Sequence, residues 1–290
     1  MSGPKALRQF PCIRYLLLMV NEPLLTLAEQ VGANAVTFFL TLLSIVLIFV
    51  AAGWRFFHGK SISRARMKSP NAVYWMGNVL GLILVVGGVF IFIEIAQGIS
   101  VNSWLSNVDA TITNSIKTNI SPIDLQIFAV LTHFGDRQVL FAIAVSLPVL
   151  LWHTRRRLFA IGLACALAGN AVLNPMLKLY FERLRPLNEH GVANALGWSF
   201  PSGHASGAMV TYGMLAYVAL RTLPSVWHLP AVLGAISLVL AVGFSRIFLQ
   251  VHFTSDVAAG FTSGLAWLSL CILTIKLIEH YRQIKGSSQR

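Results

Sequence analysis

Apolar residues gather into long runs at 34–54, 74–97, 137–152, 157–178, 202–220, 230–249 and 254–277, separated by shorter polar stretches. A helix rises about 1.5 Å per residue, so about 20 apolar residues cross a hydrocarbon layer roughly 30 Å thick. Inside that layer every backbone N–H and C=O must be satisfied within the protein, which leaves helices or closed barrels. The runs lack the alternation of barrel strands, so each predicts a membrane-spanning α-helix. Residues 15–30 are broken by Asn21, Glu22 and Pro23. They predict an interfacial helix or a short re-entrant hairpin instead.

Composition fits that solvent. The 290 residues are 56% hydrophobic and 11% charged, against about 25% charged in soluble domains. The net charge of +12 is concentrated at Arg55, Lys60, Arg64, Arg66 and Lys68, at Arg155 to Arg157, and at Lys276, Arg282, Lys285 and Arg290. No basic domain interleaved with aromatics accompanies these clusters, so they read as a topology signal and anionic-lipid contact, with no nucleic-acid partner. Lys and Arg favour the cytoplasmic side, which puts 98–136, with Asp109, Lys117, Asp124 and Asp136, in an external loop. The chain ends of the runs near Lys178, Ser202, Arg246 and Asp256 are then external as well. Seven spans also put residue 1 outside, against the preference of Lys5, Arg8 and Arg14, and the parity of this end stays open. Cys12, Cys165 and Cys271 are scattered without metal-ligand spacing and read as small buried residues.

Three strings at those external ends carry the chemistry: Lys178 to Arg185-Pro186, Pro201-Ser202-Gly203-His204, and Ser245-Arg246 through His252 to Asp256. Ionisable residues beside hydrocarbon are costly and mark function. Lys178 and Arg185 are seven residues apart, nearly two helical turns, but Pro186 disfavours helix at Arg185 and predicts a loop there. Alone, this pair reads as interfacial anchors. Pro201 predicts a helix start at which Ser202 and Gly203 present free N–H groups to an anion. His204 in that first turn is a candidate general acid. His252 and Asp256, four apart, predict one face of a helix, with the carboxylate holding the Nδ1 proton and leaving Nε2 as a nucleophile. Arg246 lies inside its apolar run and calls for an anionic partner.

Together the strings resemble the three-part signature of the type 2 phosphatidic acid phosphatase (PAP2) superfamily: Lys-x6-Arg-Pro, Pro-Ser-Gly-His and Ser-Arg-x5-His-x3-Asp. Every position is filled at the family spacing. The resemblance implies an all-α polytopic membrane bundle, with a six-helix core like the family's over 74–280. An extra N-terminal helix with an interfacial segment and basic loop occupies 1–73, and a basic tail 281–290. It implies that Lys178, Arg185 and Arg246, with Ser202 and Gly203, bind phosphoryl oxygens. His252 would attack phosphorus, Asp256 would hold its tautomer, and His204 would protonate the leaving oxygen and then activate water. Neither metal nor cofactor is implied.

The implied activity is dephosphorylation of a lipid phosphate or pyrophosphate at the periplasmic face of a bacterial inner membrane. Substrates common among such relatives are undecaprenyl pyrophosphate, phosphatidylglycerophosphate, phosphatidate and lipid A. A phosphotransferase using the same phosphohistidine is the alternative. A non-catalytic lipid or anion transporter has no need of both His204 and His252. Vanadate haloperoxidases share the signature but are soluble. Oligomeric state is unreadable. Glu182, Arg183, Glu189, His190, His133 and Asp136 read as solvated loop residues, and Trp198 and Phe200 as interfacial aromatics or the wall of a lipid entrance.

Overall fold

The computed structural model describes residues 11–58, 70–99, 103–187 and 195–287. Glu189, His190 and the basic residues at 60–68 lie outside them. The helices are α1 (Pro11–Ala33), α2 (Ala35–His58), α3 (Pro70–Gly98), α4 (Trp104–Asn119), α5 (Pro122–Leu131), α6 (Arg137–His153), α7 (Arg157–Phe181), α8 (Gly203–Thr222), α9 (His228–Phe248) and α10 (Thr254–Ser287). A 3-10 turn, Thr132–Gly135, joins α5 to α6. Residues 15–30 fall within α1, which runs through Pro23 as one helix, so no hairpin forms there.

Among the described residues, six stretches are long and apolar enough to cross a membrane: Ala35–Phe56, Tyr74–Gly98, Pro122–His153, Arg157–Phe181, Ser225–Phe248 and Thr254–Lys285. The run at 202–220 is the exception among those expected. It does form α8, but Gly, Ser, His and Thr dilute its apolarity. Position explains this. α8 packs against α7, α9 and α10, with Ala205, Ser206, Ala208, Val210, Thr211 and Met214 all buried. A helix enclosed by other helices needs small residues for close approach more than it needs lipid-compatible ones. The peripheral helices α2 and α3 instead present Ile48, Phe49, Leu80 and Phe90 outward.

One close approach positions the site. Gly260 and Gly264 of α10 face the start of α8, where a Cβ on Gly260 would stand 2.6 Å from the Ser202 carbonyl oxygen. This GxxxG face brings the two helix beginnings together, and the Ser202 N–H donates to the Asp256 carbonyl at 2.9 Å. At the end of α9 the chain reverses in a Schellman turn. Val251 N–H reaches Arg246 O (3.1 Å), and Gln250 N–H reaches Ile247 O (3.0 Å). Gln250 takes the left-handed position with φ 54, one that glycine usually fills. Its Nε2 is tied to Thr113 O of α4 at 2.9 Å.

The segment expected as an external loop, 98–136, holds α4, α5 and the 3-10 turn. α4 packs on α1, with Ser115 Oγ donating to Glu29 O at 2.7 Å. Its inward face carries Asp109, Thr113 and Ile116. From the N-terminal region, Phe39 of α2 enters an aromatic cluster with Phe128, Phe244 and Phe248. Arg155 to Arg157 stand at the far end of α7 from Lys178, roughly 30 Å away at 1.5 Å per residue.

Candidate active site

All three strings meet at one end of the bundle. α7 stops at Phe181, Glu182 turns left-handed at φ 44, and Arg185 lies on a loop, as Pro186 requires. Its Nε donates to Gly197 O (2.9 Å), Nη2 to Trp198 O (3.1 Å) and Nη1 to Val251 O (2.6 Å). The same Nη1 stands 3.1 Å from His252 Nε2. Lys178 Nζ donates to Trp198 O at 2.6 Å, so both cations of the first string converge on one carbonyl.

His252 is 2% exposed. It sits in the turn before α10 and not on the helix, because the Schellman turn has already redirected the chain. Nδ1 is 3.4 Å from Asp256 Oδ2 and 3.3 Å from Ser199 Oγ, and the Ser199 hydroxyl donates to that same carboxylate oxygen. Asp256 also accepts the Phe253 N–H at 2.9 Å, closing the first turn of α10 as an acid does in a capping box. Burial pushes the His252 pKa down to about 3, against the pull of Asp256 and with the push of the Arg185 and Lys178 charges. The ring is therefore neutral near pH 7. With its proton on Nδ1, facing Ser199 and Asp256, Nε2 carries the lone pair.

His204 occupies the first turn of α8, and its Nε2 is 3.0 Å from Asp136 Oδ1. The other oxygen of Asp136 lies 2.6 Å from His133 Nδ1. Arg246 is 5% exposed, with one Nη donating to Thr132 Oγ1 at 2.7 Å. Its Nε has no hydrogen-bond partner among the described residues. Ser202 is the N-cap of α8, its hydroxyl accepting from Ala205 N–H. Its own N–H is taken by the Asp256 carbonyl, so the expectation of a free N–H fails for Ser202.

Beyond Cys165, which was expected to be buried and is exposed, two expectations need correcting. Arg183 is no solvated loop residue: its side chain is 11% exposed and bridges two buried carboxylates, Nη1 to Asp256 (2.7 Å) and Nη2 to Asp109 (2.8 Å). The guanidinium also lies over the Phe253 ring, 4.5 Å from its centroid. Asp109 is held by the Ser255 hydroxyl and by Ser255 N–H at 3.0 Å. Burial still raises its pKa against those partners. One signal was readable: Asp109 shares a helical face with Thr113 and Ile116, and an acid on an inward face demands a buried cation. Phe200 is the second correction. It is fully buried between Phe92 of α3 and Phe181 of α7, a core residue rather than an interfacial one. Nothing in local pattern marks Ser199.

A buried neutral imidazole facing a guanidinium, inside a helical membrane bundle, defines a polytopic membrane phosphatase once the likenesses to known proteins are added. A family model described as the PAP2 superfamily matches residues 157–278. The phosphatidylglycerophosphatase B of Bacillus subtilis (strain 168) is 28% identical over 194 residues, 66% of this chain and 95% of that protein. An undecaprenyl-diphosphatase of Sulfolobus acidocaldarius is 33% identical over 150 residues, 49% of this chain and 68% of that one. The crystal structure of the transmembrane PAP2-type phosphatidylglycerolphosphate phosphatase from Bacillus subtilis superposes with a TM-score of 0.61 at 27% identity, covering 65% of this chain and 94% of that one. The chain belongs to the PAP2 superfamily, in its integral-membrane branch.

Proposed function

We propose that this protein hydrolyses a phosphate or pyrophosphate ester on a membrane lipid, through a phosphohistidine at His252, on the extracytoplasmic side of a cytoplasmic membrane. The observation that carries the reading is Arg246: a guanidinium at 5% exposure whose only side-chain hydrogen-bond partner among the described residues is a neutral threonine, and whose Nε has none among them. A buried cation left in that state is completed by an oxyanion. Lys178, Arg185 and Arg246 bind the phosphoryl oxygens, with the first amides of α8 at Gly203 and the Ser202 cap beside them. His252 Nε2 attacks the terminal phosphorus, and its P–O bond breaks, to the lipid alcohol in a monoester or to the inner phosphate in a pyrophosphate. The leaving oxygen takes its proton from His204. Water, giving its proton back to His204, then breaks the P–N bond and frees orthophosphate. Asp256 holds the Nδ1 proton throughout.

Phosphatidylglycerophosphate and undecaprenyl pyrophosphate are the leading lipid classes, since the two sequence relatives are named for them. The test is a panel of these two lipids with phosphatidate and lipid A, incubated with detergent-purified protein and EDTA, with orthophosphate counted. Release from any of them that vanishes in His252→Ala supports the reading. Undiminished release in that variant removes the nucleophile. Adding an acceptor lipid separates hydrolysis from transfer, because transfer yields a phosphorylated acceptor in place of orthophosphate.

A further inference from the structure

The carboxylate of Asp136 has an unusual position for its place in the fold. It is the N-cap residue of α6, with extended backbone (φ −65, ψ 144), yet its side chain makes no capping hydrogen bond. Aspartate at an N-cap ordinarily accepts from a first-turn amide, worth about 1 kcal/mol. Here both oxygens are turned to imidazoles, Oδ1 to His204 Nε2 (3.0 Å) and Oδ2 to His133 Nδ1 (2.6 Å). A local rule broken without a local gain is what a functional site looks like.

The turn bearing Asp136 is fixed on three sides. Thr132 is bonded by Arg246. The Phe134 carbonyl accepts from Tyr212 Oη of α8 at 2.7 Å. Gly135 lies so close to His204 that a Cβ there would stand 2.9 Å from its Cδ2. The carboxylate is thus placed by the frame that places His204 and Arg246. His133, with a 68% exposed side chain, closes the far side toward water.

We infer that Asp136 is the positioning carboxylate of His204, so that the site holds two Asp–His pairs, one for the nucleophile and one for the proton-transferring imidazole. With Asp136 accepting the Nε2 proton and holding the ring in its doubly protonated form, Nδ1 gives its proton to the leaving oxygen, and the then neutral ring recovers one there from water. Burial of the ring, the largest influence, and the charges of Arg246 and Arg185 all disfavour the protonated form of His204 and lower its pKa. Only the carboxylate favours its protonated form. The inference rests on the assignment of His204 as acid and base made above.

Leaving-group chemistry tests it. An alkoxide leaving from a lipid phosphate needs a proton, whereas p-nitrophenolate does not. In Asp136→Asn, single-turnover release of diacylglycerol from phosphatidate is expected to fall about a hundredfold, the lower range for general acid catalysis. The first equivalent of p-nitrophenolate from p-nitrophenyl phosphate is expected within about twofold of the unaltered protein, followed by slow turnover because water activation is impaired. His204→Ala should show the same contrast, and the burst amplitude counts folded sites. Asp136→Ser, which offers the α6 N-cap a hydroxyl, should behave like the Asn variant. Equal slowing with both substrates, or none, overturns the inference and returns Asp136 to a purely structural role. If the unaltered protein carries no acid-labile phosphate, the phosphohistidine reading fails separately. The same leaving-group comparison is then scored from steady-state rates.

Discussion

Arg183 Nη1 donates to Asp256 Oδ1 across 2.7 Å, while the other oxygen of that carboxylate serves Ser199, His252 and Phe253. The guanidinium thus divides the labour of one carboxylate, and its other arm reaches Asp109 on α4. One cation balances two buried anions, and it does so from between Lys178 and Arg185 in the signature, at a position the signature leaves free.

Removing that cation strands Asp109 and Asp256, which are 1% and 0% exposed. Breaking a buried pair costs about 3–5 kcal/mol, because a charge stays behind without a partner. Arg183→Ala is therefore expected to lower the thermal unfolding midpoint in detergent sharply. Asp109→Asn leaves one guanidinium facing one carboxylate and is expected to cost far less. A larger loss in Asp109→Asn than in Arg183→Ala would reverse this order and the account behind it.

The pKa of His252 gives a pH dependence whose sign is fixed. Burial lowers it from 6.5 to about 3, so between those values the unfolded chain binds a proton that the folded protein refuses. Stability present above about 6.5 is lost progressively as pH falls toward 3. His252→Asn has no such proton, and the difference in unfolding midpoint between the two proteins is expected to shrink or change sign on acidification from pH 7. Parallel curves over this window would show that His252 titrates normally.

Ser199 touches both members of the nucleophile pair, 3.3 Å from His252 Nδ1 and bonded to Asp256 Oδ2. The direct His252–Asp256 contact is long, at 3.4 Å, so the hydroxyl supplies part of the restraint on the ring. A hydrogen bond to a charged group is worth about 1.5–3 kcal/mol. Ser199→Ala is expected to lower kcat about tenfold with KM for the lipid little changed, since the serine meets the Nδ1 side of the ring and not the Nε2 proposed to attack. A rise in KM with kcat preserved would place Ser199 in substrate binding instead.

Most of the fold was legible because hydrocarbon permits so few backbone solutions; runs of apolar residues became helices nearly where hydropathy put them. α8 shows where that logic weakens, since an enclosed helix is selected for smallness as well as apolarity. The eleven signature residues were legible because their identities and spacing are fixed together. Arg183, Ser199 and Asp136 were not, because each acts through a partner far along the chain: Asp109 is 74 positions from Arg183, Asp256 is 57 from Ser199, and His204 is 68 from Asp136. Helical periodicity reports a neighbour three or four residues away and is silent about such pairs. The same holds for His252, whose four-residue spacing from Asp256 suggested a helix. The preceding Schellman turn is decided by Gln250 and its bond to Thr113 O, a contact spanning 137 positions.

Gly260 makes the most local prediction about how packing sets chemistry. It faces backbone and not a flexible side chain: a Cβ would meet Ser202 O at 2.6 Å, Ala205 Cβ at 2.9 Å and Ser206 N at 3.3 Å. Backbone cannot rotate away, so Gly260→Ala must part the beginnings of α8 and α10. Overpacking of this kind costs about 1–3 kcal/mol. The separation also strains the Ser202 N–H bond to Asp256 O, which joins the helix bearing His204 to the helix following His252. In the proposed mechanism the two imidazoles address one phosphorus from opposite sides, and a misplacement near 1 Å costs on the order of a hundredfold in rate. Gly260→Ala is therefore expected to lose about that factor in kcat while remaining folded and extractable in detergent. Gly234→Ala, on α9 where a Cβ meets nothing within 4 Å, is the matched control and should retain activity. Equal activity in the two variants would show that the approach of α8 to α10 does not set the spacing of the imidazoles.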